Sequence, residues 1–119
     1  MKAVLFDLGG TLIKTAERSQ ILSRILAPYG IRRPSTEIDS AFRETDEELS
    51  IEDYALPYDE FWRLYNMKML KRLGVNVNLG RLGDAITDEW WDNADLELYP
   101  DVKETLKTLK EMGLKVGIV

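Results

Sequence analysis

The chain has 119 residues, 45% of them hydrophobic and 31% charged, with a formal net charge of −5. This is length for one ordinary domain, and the acidic balance excludes generic nucleic-acid binding, which leans on a basic face. Cysteine and histidine are both absent, which removes disulfides, thiolate nucleophiles, cysteine-bound zinc and any serine–histidine triad built within the chain.

Carboxylate, hydroxyl, lysine and backbone chemistry remain, and carboxylate with backbone oxygen suits a hard cation such as magnesium. No apolar run approaches membrane-spanning length. The N-terminus enters a predicted strand after one lysine, with no signal-peptide core, so the expectation is a cytoplasmic protein without a membrane or nucleic-acid partner.

Ala3, Val4, Leu5 and Phe6 form a continuous apolar run, the pattern of a strand buried on both faces. Asp7 stands where that strand should end, followed by Gly9 and Gly10. Open α/β sheets place their chemistry at such a strand end, although an Asp that merely starts a turn gives the same local pattern.

From Glu17 to Ala27, the spacing of Ile21, Leu22, Ile25 and Leu26 predicts a helix that stops at Pro28-Tyr29-Gly30. A second helix is predicted after Pro34, with Ser35 or Thr36 as cap and the stripe Ile38, Ala41, Phe42, Thr45 and Leu49. Pro57 opens a third, apolar nearly all round through Phe61, Trp62, Leu64, Tyr65, Met67, Met69, Leu70 and Leu73. Gly74 ends it, and packing on more than one side is expected. A fourth helix is predicted over Leu79–Trp91, with Trp91 off its stripe.

Regular structure restarts at Tyr99-Pro100-Asp101. Val102, Leu106, Leu109 and Met112 are spaced for an amphipathic helix stopped by Gly113, and Leu114–Val119 reads as a second buried strand. Without the helical excursion the remainder is a β-α-β unit, with Pro100–Met112 crossing over between two parallel strands. The fold class is therefore α/β: a partial Rossmann-like core at 1–14 and 98–119, and an inserted helical subdomain at 15–97 able to act as a cap.

Four features together resemble the haloacid dehalogenase superfamily of hydrolases. They are Val4-Leu5-Phe6-Asp7-Leu8-Gly9-Gly10-Thr11-Leu12, the helical insertion soon after it, Leu98-Tyr99-Pro100-Asp101-Val102, and Gly113-Leu114-Lys115-Val116-Gly117-Ile118-Val119. The resemblance implies a phosphatase acting on a small phosphorylated metabolite, with Asp7 as the nucleophile that forms an aspartyl-phosphate. It implies Mg2+ held in part by the Asp7 carboxylate and the Gly9 carbonyl, phosphate oxygens cradled by N–H groups of Leu8, Gly9 and Gly10, and Thr11 supporting the loop. Substrate choice in this family is set largely by the cap, where Arg18, Arg24, Trp62, Tyr65 and Trp91 are the residues to place.

Two departures bear on activity. Position 9 is Gly where family phosphatases carry a second Asp that protonates the leaving group, help typically worth ~10²–10⁴-fold. Losing it leaves a slow enzyme, one reliant on good leaving groups, or one that recruits another group. Dehalogenase-type members usually have an aromatic residue there, so a 2-haloacid dehalogenase is a weaker alternative, as is a non-catalytic phosphate- or partner-binding relative. The family's later motifs, a Ser or Thr after the second strand, a Lys and an acidic pair, have no counterpart here. A two-stranded parallel sheet cannot cover itself, so the expectation is a segment of a longer protein, or self-association through the open sheet edge.

Overall fold

The computed structural model describes residues 2–10 and 12–118. In chain order the elements are β1 (Ala3–Phe6), β2 (Ile13–Lys14), α1 (Arg18–Leu26), α2 (Ser35–Glu48), α3 (Ile51–Tyr54), α4 (Tyr58–Arg72), α5 (Leu79–Glu89), β3 (Glu97–Leu98), α6 (Val102–Glu111) and β4 (Lys115–Ile118). They form an α/β chain that divides into two compact units, Met1–Ala16 with Asp95–Val119, and Glu17–Ala94. Among the described residues no helix is long and apolar enough to cross a membrane.

The discontinuous unit is built on β1 and β4, which pair in parallel from Ala3 opposite Lys115 to Phe6 opposite Ile118. Helix α6 makes the crossover and packs on β4. Gly113 ends the crossover at a φ of 77°, a left-handed conformation that favours glycine. A short antiparallel ladder joins β2 to β3, Ile13 opposite Leu98 and Lys14 opposite Glu97, fastened by a Lys14–Glu97 ion pair at 3.3 Å. Glu97, expected in the helical excursion, thus belongs to a strand.

The expectation that the two long strands are buried on both faces is not met. Leu5 is 68% and Ile118 62% exposed, because two strands and one helix do not supply a second covering layer. Within the pair, Leu5 lies over Gly117, its Cδ2 3.0 Å from where a Cβ on that glycine would sit. The final residue of the predicted strand, Val119, lies outside the described residues.

The helical unit has a core contiguous in sequence. The predicted stripe of α1 is buried at Ile21, Leu22, Ile25 and Leu26, and that of α2 at Ile38, Ala41, Phe42 and Thr45. Helix α4 packs against both α2 and α5, as its nearly continuous apolar surface predicts, with Tyr65, Met69 and Leu70 buried. Burying one such aliphatic side chain contributes roughly 1.5–3 kcal/mol, so this packing, rather than helix propensity, holds the unit.

Gly83 of α5 lies against α4, where an added Cβ would stand 3.6 Å from Asn66 Cβ and Met67 Cγ. Asn66, itself buried, donates from Nδ2 to the Gly83 carbonyl at 3.1 Å and to Thr87 Oγ1 at 3.0 Å, so this buried polar side chain of α4 is satisfied across the seam. Arg33 Nε donates to the Leu73 carbonyl at 2.9 Å, which closes the C-terminus of α4 from outside the helix.

Several boundaries differ from the sequence-based expectation. Pro34, not Ser35 or Thr36, is the N-cap of α2; its extended ψ of 146° and its carbonyl, which accepts from Glu37 and Ile38 N–H, start the helix without a side-chain cap. Pro57 likewise sits at the N-cap of α4 rather than in its first turn. The helix predicted to Trp91 ends at Glu89 and continues as a 3-10 turn, Trp91–Asn93. Helix α3 was not expected; Ser50 and Asp53 cap it reciprocally, Ser50 N–H donating to Asp53 Oδ2 at 2.9 Å and Asp53 N–H to Ser50 Oγ at 3.3 Å.

Candidate active site

Strand β1 delivers Asp7 to the end of the sheet where β4 also ends, since the parallel register sets Phe6 beside Ile118. The carboxylate is exposed to solvent. That is the edge at which open α/β sheets bind their ligands.

The loop after Asp7 is closed by its own backbone. The Leu8 carbonyl accepts from Leu12 N–H at 3.0 Å and from Ile13 N–H at 3.1 Å, while Gly10 N–H donates to the Ile13 carbonyl at 3.0 Å. Gly10 turns the chain at a φ of 77°, which an L side chain adopts only with strain. Gly9 has no left-handed φ, and a Cβ placed on it meets nothing within 4 Å.

These bonds divide the expected site residues. Leu8 and Gly9 present the backbone nearest Asp7 in the chain. Gly10, expected to offer its N–H to a phosphate, directs that group to Ile13 instead, so its contribution is the shape of the turn. Thr11 lies outside the described residues. The bracing seen here comes from Leu12 and Ile13, which were missed because main-chain bonds carry no side-chain signature; only the compact Gly-Gly spacing hinted at a self-closed loop.

Magnesium takes oxygen donors in near-octahedral number, keeping several waters. The exposed Asp7 carboxylate and the Gly9 carbonyl match that preference in kind. They do not match it in number: among the described residues no group of three Asp or Glu side chains is gathered to hold a metal. These residues alone therefore do not make a magnesium site.

Of the residues of the helical unit that a substrate would be sought among, Arg18, Arg24, Trp62 and Tyr65 are engaged in that unit's own structure. Arg18 Nη1 lies 3.2 Å from Asp46 Oδ2, and its guanidinium sits 4.5 Å from the centre of the Phe42 ring. Tyr65 donates its hydroxyl to Asp46 Oδ1 at 2.6 Å; burial first, and then that bond, push the phenol well above its ordinary value. Arg24 Nη1 donates to the Asn93 carbonyl at 2.8 Å. Trp62 packs edge-on to Phe61 and Tyr65. Trp91 is 52% exposed. An open cleft of about 700 Å³ in the same unit is lined by Arg63 and Asp84, paired at 2.7 Å, with Tyr29, Arg81 and Asp88.

Comparison with known proteins bears on this geometry. A family model described as haloacid dehalogenase-like hydrolase matches residues 1–119. A protein of Clostridium perfringens (strain 13 / Type A) named "Putative pyrophosphatase PpaX" is 33% identical over all 119 residues of this chain. The chain spans about half of that relative, 48% of its length.

Proposed function

Because this chain belongs to the haloacid dehalogenase-like hydrolases, we propose that the complete protein is a magnesium-dependent phosphohydrolase of small phosphate-bearing metabolites with Asp7 as its nucleophile. The observation that supports the role of Asp7 most directly is its position: an exposed carboxylate at the C-terminal end of β1, followed by a self-closed glycine loop. Pyrophosphate stands beside phosphomonoesters as a substrate because the relative's name specifies it.

In this reading an Asp7 oxygen attacks phosphorus, and the bond from phosphorus to the leaving oxygen breaks with its electron pair on that oxygen. Water then attacks the aspartyl-phosphate, the P–O bond to Asp7 breaks, and the carboxylate is restored as inorganic phosphate leaves. N–H groups of Leu8 and Gly9 face the transferred phosphoryl oxygens, and Gly10 holds the turn that aims them. Magnesium, when bound, would supply charge neutralisation at the phosphoryl group; the Asp7 carboxylate and the Gly9 carbonyl would hold it in part, with further oxygen donors needed from outside these residues.

The helical unit, Glu17–Ala94, serves as the cap, and the protein works in the cytoplasm. Hydrolysis of pyrophosphate and of an aryl phosphate by the full-length protein, with and without magnesium, tests the reading. Metal-dependent turnover that Asp7→Asn abolishes is expected. Persistence of turnover in that variant would remove Asp7 from the role, and phosphate binding without turnover would favour the non-catalytic alternative.

A further inference from the structure

Helix α3 and the first turns of α4 carry an aromatic surface turned to solvent. Ile51 is 87%, Tyr54 63% and Tyr58 65% exposed, and Leu56, in the loop between the two helices, is exposed as well. The rings hold one another in place. Tyr54 stacks on Phe61 at 5.4 Å, Phe61 meets Trp62 edge-on at 5.0 Å, and Trp62 meets Tyr58 edge-on at 6.3 Å. Phe61 and Trp62 in turn rest on the buried Tyr65. Rings fixed in this way have little conformational freedom left to lose on binding. Contiguous exposed apolar surface, unlike a single exposed side chain, marks an interaction site.

Charge decides what fits this surface. Between Arg43 and Arg63 the chain has no lysine or arginine. Glu52, Asp59 and Glu60, interleaved with the aromatic residues in sequence, are exposed, and among the described residues none of the three makes an ion pair. Arg63 is committed to Asp84 by hydrogen bonds at 3.0 and 2.7 Å, and Lys68 pairs with Glu48 at 3.6 Å. A second copy docked face to face would set carboxylates against carboxylates, and an anionic membrane or nucleic acid would be repelled. A segment with lysine or arginine among apolar side chains is matched on both counts, because ring faces accept aliphatic groups and cations alike. We infer that this surface docks a basic amphipathic peptide segment of a partner protein. The inference depends neither on Asp7 nor on hydrolysis.

The test uses the full-length protein with a fluorescent helical peptide of leucine and lysine, and a leucine–glutamate peptide as its counterpart. Binding of the basic peptide that weakens as salt rises is expected, and none of the acidic one. Tyr54→Ser with Tyr58→Ser should lower the affinity by ~10-fold or more, as loss of interface anchors does, with circular dichroism verifying that the double variant is folded. Asp59→Asn with Glu60→Gln should also weaken binding and flatten its salt dependence. Glu37→Gln with Asp39→Asn, the same charge change at the N-terminal end of α2, should not. Equal loss in the two charge variants would reduce the binding to net charge and overturn the inference, as would no binding of the basic peptide. Dimerisation that the tyrosine variant abolishes would make a second copy the occupant instead. Protection of Tyr54 and Tyr58 from oxidative labelling in the full-length protein would make the rest of that protein the cover, and would equally overturn it.

Discussion

The hydroxyl of Tyr65 donates to the Asp46 carboxylate across 2.6 Å, and that short bond ties α4 to α2 beneath the Arg18 guanidinium. Removing it with Tyr65→Phe keeps the ring and its contacts with Phe42 and Trp62, and leaves Asp46 with Arg18 and water. The expected loss is about 1.5–3 kcal/mol in denaturant unfolding, the worth of one hydrogen bond to a charged acceptor. The same variant carries a pH signature. The phenol's raised value in the folded chain means that the unfolded chain releases this proton first, near pH 10. Stability from this group is therefore complete below that pH and lost as pH rises beyond it; Tyr65→Phe should flatten that part of the alkaline decline.

Gly83→Ala should be tolerated or stabilising, despite the tight helix seam it sits on. An added Cβ there would stand 3.6 Å from Asn66 Cβ and from Met67 Cγ, which is ordinary van der Waals contact. Replacing a helical glycine removes backbone entropy from the unfolded chain, worth about 0.5–1 kcal/mol. A raised urea midpoint is expected for Ala, and a lowered one for Leu, which needs room that Asn66 and Met67 occupy.

The two glycines after Asp7 should respond in opposite ways. Gly9→Ala finds open space and an unstrained φ, and should leave thermal stability nearly unchanged. Gly10→Ala forces a side chain into φ 77° at a cost of about 1–2 kcal/mol, and loosens the turn that sets the Leu8 and Gly9 N–H groups. In the full-length protein, Gly10→Ala should lower phosphate affinity as well as melting temperature, read by calorimetry with inorganic phosphate.

On the acid side, Glu48 is the group to follow. The hydrogen bond from Arg72, and then the charge of Lys68, hold its carboxyl below the ordinary value of 4.5. Arg72 also reaches Glu44 at 3.1 Å, so α2 and α4 share a small ionic network. A lowered carboxylate contributes stability that is present above pH 4.5 and lost as pH falls below it. Glu48→Gln should reduce the slope of the acid decline and the sensitivity of stability to salt; an unchanged slope would show the pair to be solvated without effect.

Much of this was readable from spacing. The i, i+3, i+4 apolar pattern located α1, α2 and α5 because each presents one stripe to the core, a nearly continuous apolar surface located α4 between α2 and α5, and Ile21, Leu22, Ile38 and Phe42 are buried where periodicity put them. Sheet burial was not readable: Leu5 and Ile118 are as apolar as core residues, yet their exposure depends on how many other elements the chain supplies. The β2–β3 ladder escaped notice because strands of two residues have no period, and their pairing is decided by partners far apart in sequence. Helix α3 did leave a signal, Ser50 three residues before Asp53, that the acidic run around it obscured. At the site, Asp7 and the glycines were legible as residue types, while the Leu8 carbonyl, which organises the loop, has no letter of its own.

The ladder between Ile13 and Leu98 carries a kinetic consequence. Its two partners belong to one unit but are separated in the chain by the whole of the other. Closing so long a loop from a disordered coil costs entropy that no contact yet repays. The helical unit, whose contacts are all made within one continuous segment, can form first and shorten the effective gap. Refolding should therefore show protection of α1, α2, α4 and α5 amides before those of β1 and β4. The Asp7 loop would then be the last part of the molecule to be assembled, and its chemistry would exist only once everything between its two halves of chain has already folded.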